Sequence, residues 1–420
     1  MVRITRSGRE TRVATVATLI VASTVVTAAQ EWAEWRGPTR DGAIASAVAP
    51  KTWPTSVTRA WRLEVGEGYA SPVVAAGRVF VHSRRDPEEV VTAIDVTSGK
   101  VLWQKTYPAS FAKNQYAVRM AKGPNSTPVI VGDAVYTLGV TAILSAWRVS
   151  DGSLIWRKDY SASVDTSKLF CGTAMSPLVD QNTIVVQVGS DVHGGRTIAL
   201  DPATGQERWT LKGDGPGYAS PIAFTAGGVR QIVTMTNGAI VAVDAAKGTT
   251  LWSIAFPDEW HENIVTPSWT GTHLVVSGVR QGTHAYTLKQ VNGQWQTSVA
   301  WKNAEVTMYM SAPVVADGVV YGFSNKRKGQ FVALDLASGS VRWATEGREG
   351  DHASILLAPA HVLFLTNAGD LVIARRNATS FSEERRIEIA DGETWAVPAF
   401  VPGGVIVRDA RGLSRLQWSN

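Results

Sequence analysis

Short runs of alternating and β-branched apolar residues, closed by turn residues at a fixed interval, organise most of this chain. Ala93-Ile94-Asp95-Val96-Thr97-Ser98-Gly99-Lys100-Val101-Leu102-Trp103 returns as Ala199 to Trp209, Ala242 to Trp252 and Ala333 to Trp343. In each copy Gly stands four residues after Asp, and Trp eight after it. A relaxed copy runs from Ala146 to Trp156 with Arg148 and Gly152 in the two slots. Another ends at Trp301, where Asn292-Gly293 marks the turn and four extra residues intervene. Alternation before the Asp predicts a strand, Asp accepts backbone N–H groups in the turn, and Gly takes the positive φ other residues resist. The Trp-ended segment returns antiparallel, so the unit is a hairpin.

A second hairpin precedes each of these. It opens on a hydroxylated residue beside Pro: Ser71-Pro72, Ser126-Thr127-Pro128, Ser176-Pro177, Ser220-Pro221, Thr266-Pro267 and Ser311-Ala312-Pro313. A turn and a β-branched run such as Arg78-Val79-Phe80-Val81 or Val319-Val320-Tyr321 follow, giving four strands per unit. From Pro72 these prolines lie 56, 49, 44, 46 and 46 residues apart, and weaker units cover His352 to Ala390 and Thr394 to Asn420. Units of about 45 residues with four antiparallel strands are the mark of propeller blades. The fold expected is all-β: an eight-bladed β-propeller over residues 59–420. The eighth unit supplies only three strands, while Arg59 to Val65, with Trp61, resembles a Trp-ended outer strand without a unit of its own. That N-terminal strand is expected to complete the last blade, because an open ring would expose two blade faces and a strand edge. Residues 30–58 form an extension expected to pack along the rim.

Composition narrows the function. With 45% hydrophobic and 18% charged residues the chain is not disordered. A single cysteine, Cys171, rules out an intrachain disulfide and a CxxC metal knuckle. Arg3, Arg6, Arg9 and Arg12 precede the uncharged stretch Val13 to Val26, and small residues follow, so residues 1–29 read as a secretory signal cleaved near Ala29. That apolar run is shorter than a membrane-spanning helix needs. No cysteine follows the cleavage region to carry a lipid anchor, and the expected product is a periplasmic or extracellular monomer. The formal charge of +5 falls to +2 once four Arg and Glu10 leave with the signal (37 basic against 35 acidic residues), which excludes a nucleic-acid footprint.

Sixteen tryptophans could suggest a stacking surface. Trp103, Trp156, Trp209, Trp252, Trp301 and Trp343 share one repeat position, however, which assigns them to packing between blades. Trp32, Trp35, Trp260, Trp269 and Trp395 break the pattern and are freer to serve a ligand. In a propeller the loops entering the innermost strands converge on the axis. Residues two before the hydroxyl position are Tyr69, Tyr218, Tyr309 and His352, with Trp395 in the matching place of the last unit and Lys122 and Asn125 in the loop of the second. This mixed aromatic ring either forms a ligand or peptide platform at an axial funnel or simply fills the axis. His261, beside Trp260 and Glu262, is the titratable candidate, but no second histidine stands at metal-ligand spacing, and no catalytic motif is found. No metal site and no catalytic residue are assigned.

The Ala-(Ile/Leu/Val)-Asp-x-x-x-Gly-x-x-x-Trp unit resembles the pyrroloquinoline-quinone-like (PQQ-like) repeat over nearly the whole mature chain. Gly123 to Pro128, Gly217 to Pro221 and Trp35-Arg36-Gly37-Pro38-Thr39-Arg40-Asp41-Gly42 resemble features of its exported bacterial members. The resemblance implies an eight-bladed propeller. It extends to quinoprotein dehydrogenases, to the propeller lipoprotein that assists outer-membrane β-barrel assembly, and to exported members without assigned activity. The dehydrogenases it implies hold the quinone over a Trp beneath a disulfide of adjacent cysteines, with calcium on Glu, Asn and Asp. Cys171 stands alone, and the loop acids Asp258, Glu259, Glu262, Glu349, Asp351, Asp391 and Glu393 form no such set by motif. The reading is therefore a binding or scaffold protein of the cell envelope with no cofactor, taking a protein or small ligand at its axial face. The alternative is a PQQ- and calcium-dependent dehydrogenase of alcohols or sugars.

Overall fold

A computed structural model describes residues 31–117, 121–164, 169 and 171–419; the signal expected over residues 1–29 lies outside them. Eight antiparallel sheets of four strands each make up the described chain. In chain order the blades run Val73–Pro108, Val129–Asp159, Leu178–Gly213, Ile222–Ala255, Ser268–Asn303, Val314–Ala344, Ala353–Glu388 and Ala399–Ser419. The last of these spans contributes three strands, and the fourth is Ser56–Glu64, paired antiparallel with the strand Gly412–Ser419 from Ser56↔Ser419 to Glu64↔Gly412. The ring is thus closed by the N-terminal strand, which starts three residues earlier than the expected Arg59 and stops at Glu64.

Hydrophobic side chains do not collect in one centre. Each buried cluster straddles neighbouring blades, as where Val129, Leu138 and Leu144 of the second meet Ile184, Val186 and Ile198 of the third. The repeat motif explains how such interfaces lock. Asp95, Asp201, Asp244 and Asp335 each accept two backbone N–H bonds, at 2.7–3.1 Å, across their own turns. The Gly of that turn lies against the indole of the preceding blade: a Cβ on Gly152 would sit 2.6 Å from Trp103, and one on Gly205 2.7 Å from Trp156. The indole then donates its Nε1–H to a carbonyl of the same neighbouring turn, Trp103 to Val149 (3.0 Å), Trp156 to Pro202 (2.8 Å) and Trp209 to Ala245 (3.1 Å). Trp61, Trp301 and Trp343 repeat this with Val96, Leu336 and Asn377. Trp252 departs from the set and bonds Gln231 within its own blade at 2.7 Å. The insertion before Trp301 lengthens the next hairpin to ten residues per strand and carries its turn out of reach.

The Ser/Thr-Pro positions form a second seam, nearer the axis. The N–H of Val397 donates to Ser71 Oγ, Ser71 to Thr127 Oγ1, Thr127 to Ser176 Oγ, Ser176 to Ser220 Oγ and Ser220 to Thr266 Oγ1, each at 2.9–3.0 Å. The chain of bonds stops where the slot holds Ala312, and Ala353 N–H instead reaches Ser311 Oγ at 3.1 Å. Each such bond between buried groups contributes about 1 kcal/mol.

The extension departs from the expected rim position: it crosses the central channel. Val74 donates to Trp32 O and Ile130 to Ala33 O, tying the segment to the first two blades, while Ile44 and Leu357 bond it to the seventh. Arg36 Nη2 donates to Pro313 O at 2.7 Å, and Arg40 reaches Pro177 O at 2.9 Å and Pro221 O at 3.3 Å. The reason is backbone accounting. Innermost strands leave one edge unpaired toward the axis, and guanidinium groups satisfy those buried carbonyls. Residues Trp35 to Gly42 are therefore a plug in the channel.

Candidate functional site

One cavity of about 190 Å³ opens at the axis on the side where the innermost strands begin. The repeat register builds its wall. The residue two before the hydroxyl slot faces it in every blade: Tyr69, Asn125, Ala174 and Tyr218 from the first four, then Ile264, Met310, His352 and Trp395. In the sixth blade the slot next to Pro313 is Ala312 rather than Ser311, so Tyr309 stands one residue before the expected register; it and Glu262 add polar groups, Cys171 adds a thiol, and Trp35 of the plug also lines the cavity. Six of the eight expected residues are thus brought together: Tyr69, Asn125, Tyr218, Tyr309, His352 and Trp395.

Geometry and charge follow from burial. His352 stacks on Trp395 with ring centres 5.1 Å apart, and Tyr69 tilts against the same indole at 6.0 Å. Burial holds the His352 imidazole down at about 4, so it is neutral at pH 7, with Nδ1 3.1 Å from Ser311 Oγ. Desolvation pushes the Tyr69 phenol and the Cys171 thiol each up to about 12. Tyr309 is raised further by burial and by donating to Glu262 Oε1 at 2.6 Å. The Tyr69 and Tyr309 phenols, the thiol and the imidazole are all uncharged at neutral pH, and Glu262 is the one acidic or basic residue among the other described residues lining the cavity.

Lys122 and His261 are corrected. Lys122 turns outward to Asp86, Nζ to carboxylate 2.6 Å, in a separate depression with Glu67 and Arg84. His261 sits at positive φ (61°) in a turn whose Asp258 side chain accepts the N–H of Trp260 and Glu262. That turn sends His261 out to pair with Asp191 and swings its neighbour Glu262 into the cavity. Among the pattern-breaking tryptophans, Trp395 and Trp35 reach the cavity, Trp260 lies exposed on the surface, and Trp32 packs on Phe400. Trp269 stacks on Phe224 at 4.3 Å beside a second cavity of about 600 Å³, which Arg36, Arg40 and Asp41 also line.

Glu262, Cys171, Ala174, Ile264 and Met310 are not among the residues expected for the wall. Counting two back from Ser176, Thr266 and Ala312 finds Ala174, Ile264 and Met310. No spacing rule finds Glu262, whose direction depends on the turn before it.

Pyrroloquinoline quinone carries three carboxylates, and a site for it needs cations. Among the described residues the cavity wall contains no Lys or Arg, and it presents a carboxylate of its own. Among the described residues no group of three His, Cys, Asp or Glu could hold the accompanying calcium, and Cys171 has no second cysteine. The described residues of this cavity do not fit the cofactor.

Eight four-stranded blades closed by a latch define a PQQ-like β-propeller with an axial pocket. The chain belongs to the PQQ_2 family, described as "Outer membrane protein assembly factor BamB", which matches residues 53–115, 87–345 and 193–393. It is 24% identical over 380 residues to the outer membrane protein assembly factor BamB of Yersinia pestis, covering 87% of this chain and 79% of that one. Among solved structures it is similar to BamB from Moraxella catarrhalis, with a TM-score of 0.61 and 14% identity over 87% of this chain and 98% of the other. It is also similar to a europium-containing methanol dehydrogenase, with a TM-score of 0.65 and 13% identity over 91% and 90% of the two chains. At such identities the structural likeness carries the fold alone.

Proposed function

We propose that this protein is a non-catalytic scaffold propeller of the cell envelope that serves outer membrane protein assembly by binding protein at its axial face. Relatives named for that assembly match most of both chains, which supports the scaffold role. The observation that carries the binding face is the convergence of Tyr69, Tyr218, Tyr309, His352 and Trp395 on one cavity. In the family setting the chain acts in the periplasm. Among the described residues no helix is long and apolar enough to cross a membrane. No cofactor takes part in this reading, and no step through a quinone is derived.

The test is a photo-crosslinking side chain placed at Tyr218 in the native host, with the Tyr309→Ala variant as its partner experiment. Crosslinks to the outer-membrane assembly machinery, weakened at least several-fold by Tyr309→Ala with an unchanged melt, are expected. Crosslinks that persist undiminished would remove this face from contention. The dehydrogenase alternative predicts a bound chromophore and dye-linked alcohol or sugar oxidation after adding pyrroloquinoline quinone and calcium.

A further inference from the structure

We infer that the axial cavity is a cage for an organic cation the size of one side chain, an alkylated ammonium or a guanidinium, gripped by the faces of Tyr69, Tyr218, Tyr309 and Trp395 and by the carboxylate of Glu262. The inference rests on reading this cavity as the binding face and names the chemistry of what enters it. Four arguments lead there.

Aromatic faces carry negative quadrupole charge and attract cations within about 6 Å, most strongly where water is excluded. Four such rings meet here, and two of them, Tyr69 and Trp395, already lie with ring centres 6.0 Å apart. The wall also has a definite sign. Burial keeps the His352 imidazole, the Cys171 thiol and the Tyr69 phenol neutral at pH 7, and among the described residues of the wall Glu262 is the acidic side chain, with no Lys or Arg to oppose it.

Among the described residues, the guanidinium groups of Arg280 and Arg408 are already engaged. Arg280 approaches Glu262 Oε2 only to 3.7 Å and puts one nitrogen on both oxygens of Asp258, at 3.0 and 2.9 Å. Arg408 donates to Ala70 O and His82 O at 2.8 and 2.7 Å. Lys113 lies outside the wall, near enough to Cys171 for its charge to be felt there. Trp35 already carries Arg36 and Arg40 over its ring, at 5.4 and 5.8 Å, and is left out of the cage.

Size is the third argument. At about 190 Å³ the cavity falls below the 300–1,000 Å³ typical of whole-ligand pockets and suits a single headgroup or side chain. Polar wall atoms are the fourth. The hydroxyls of Ser71, Thr127, Ser176, Ser220 and Thr266 each accept an N–H bond from a neighbouring blade, which ties their oxygens into the seam and leaves the Glu262 carboxylate as the acidic group that the described wall offers a ligand.

The experiment titrates the full mature protein, by calorimetry and tryptophan fluorescence, with tetramethylammonium, with Nα-acetyl-arginine amide, with the neutral isostere 3,3-dimethylbutan-1-ol, and with glucose. Saturable binding of at least one cation is expected, roughly tenfold tighter than the isostere. Glu262→Gln should erase that preference while leaving isostere binding in place, and Trp395→Leu should weaken the cations several-fold. Saturation by the arginine amide assigns the cation to a protein side chain, and saturation by tetramethylammonium alone assigns it to a small molecule. Equal affinity for cation and isostere, binding of glucose alone, or no saturation by any probe would overturn the inference. Crosslinking lost in Tyr309→Ala while no cation binds would leave the protein-binding face standing without the cage. Cation binding with crosslinks unchanged would do the reverse.

Discussion

His352 shows how one position can be read in the sequence and yet take its chemistry from the surroundings. Its place two before the hydroxyl slot is legible in the repeat. Its neutrality is not, because that follows from burial beside Trp395 and Ser311. The imidazole titrates near 6.5 in the unfolded chain and at about 4 when folded, so between those values the unfolded state binds the extra proton. The contribution is complete above pH 6.5 and is lost as pH falls toward 4, amounting to at most about 3 kcal/mol. Urea unfolding of wild type should therefore lose more stability between pH 7 and pH 4.5 than His352→Gln. Parallel pH profiles would contradict the assignment. Glu262 and His261 illustrate the opposite case. They are adjacent in sequence, and only the Asp258 turn decides which one faces the cavity.

Among the elements, the Asp-to-Trp hairpin was the most legible, since strand alternation, an Asp-anchored turn and a positive-φ Gly are local demands. What the local pattern does not reveal is that the Gly answers two of them at once. Gly205 (φ 68°) must also lack a Cβ because Trp156 of the previous blade lies over it, whereas Gly293 (φ 78°) has nothing within 4 Å of that position. Alanine at either site meets the left-handed strain of about 1–2 kcal/mol. At Gly205 it must also displace an indole, at a further cost of about 1–3 kcal/mol. Denaturant midpoints of Gly205→Ala and Gly293→Ala compare the two directly. Equal losses would mean that the indole contact contributes nothing. Trp252, whose facing turn is carried away by the four inserted residues, is the natural member of the set without this lock.

For the whole molecule, closure is the governing fact. Strand Ser56–Glu64 is held along its length by Gly412–Ser419, joining the two ends of the described chain into one blade. Deleting residues 56–64 leaves the outer edge of that blade unpaired and uncovers the buried face that Val57, Trp61 and Leu63 help to cover. We expect the deletion variant to aggregate or to lose cooperative unfolding, as followed by scanning calorimetry and light scattering. An unaltered melt would show that the ring holds without its latch. The plug acts at the other side of the same problem, since Arg36 and Arg40 satisfy carbonyls that the closed ring turns toward its axis.

The blade count, the hairpins, the tryptophan seam and the latch were determined by the sequence alone, because each is a short-range pattern repeated at a regular interval. Repetition also announced part of the ring facing the axis, Tyr69, Asn125, Tyr218, His352 and Trp395, but not Ala174, Ile264 and Met310, and it set Tyr309 one residue out of register. The threading of Trp35 to Gly42 through the channel, the outward turn of Lys122 and His261, and the entry of the Glu262 carboxylate into an aromatic wall were decided by tertiary structure. These depend on which buried carbonyls lack a donor and which side chains lose their water, and neither is settled until eight sheets stand around one axis.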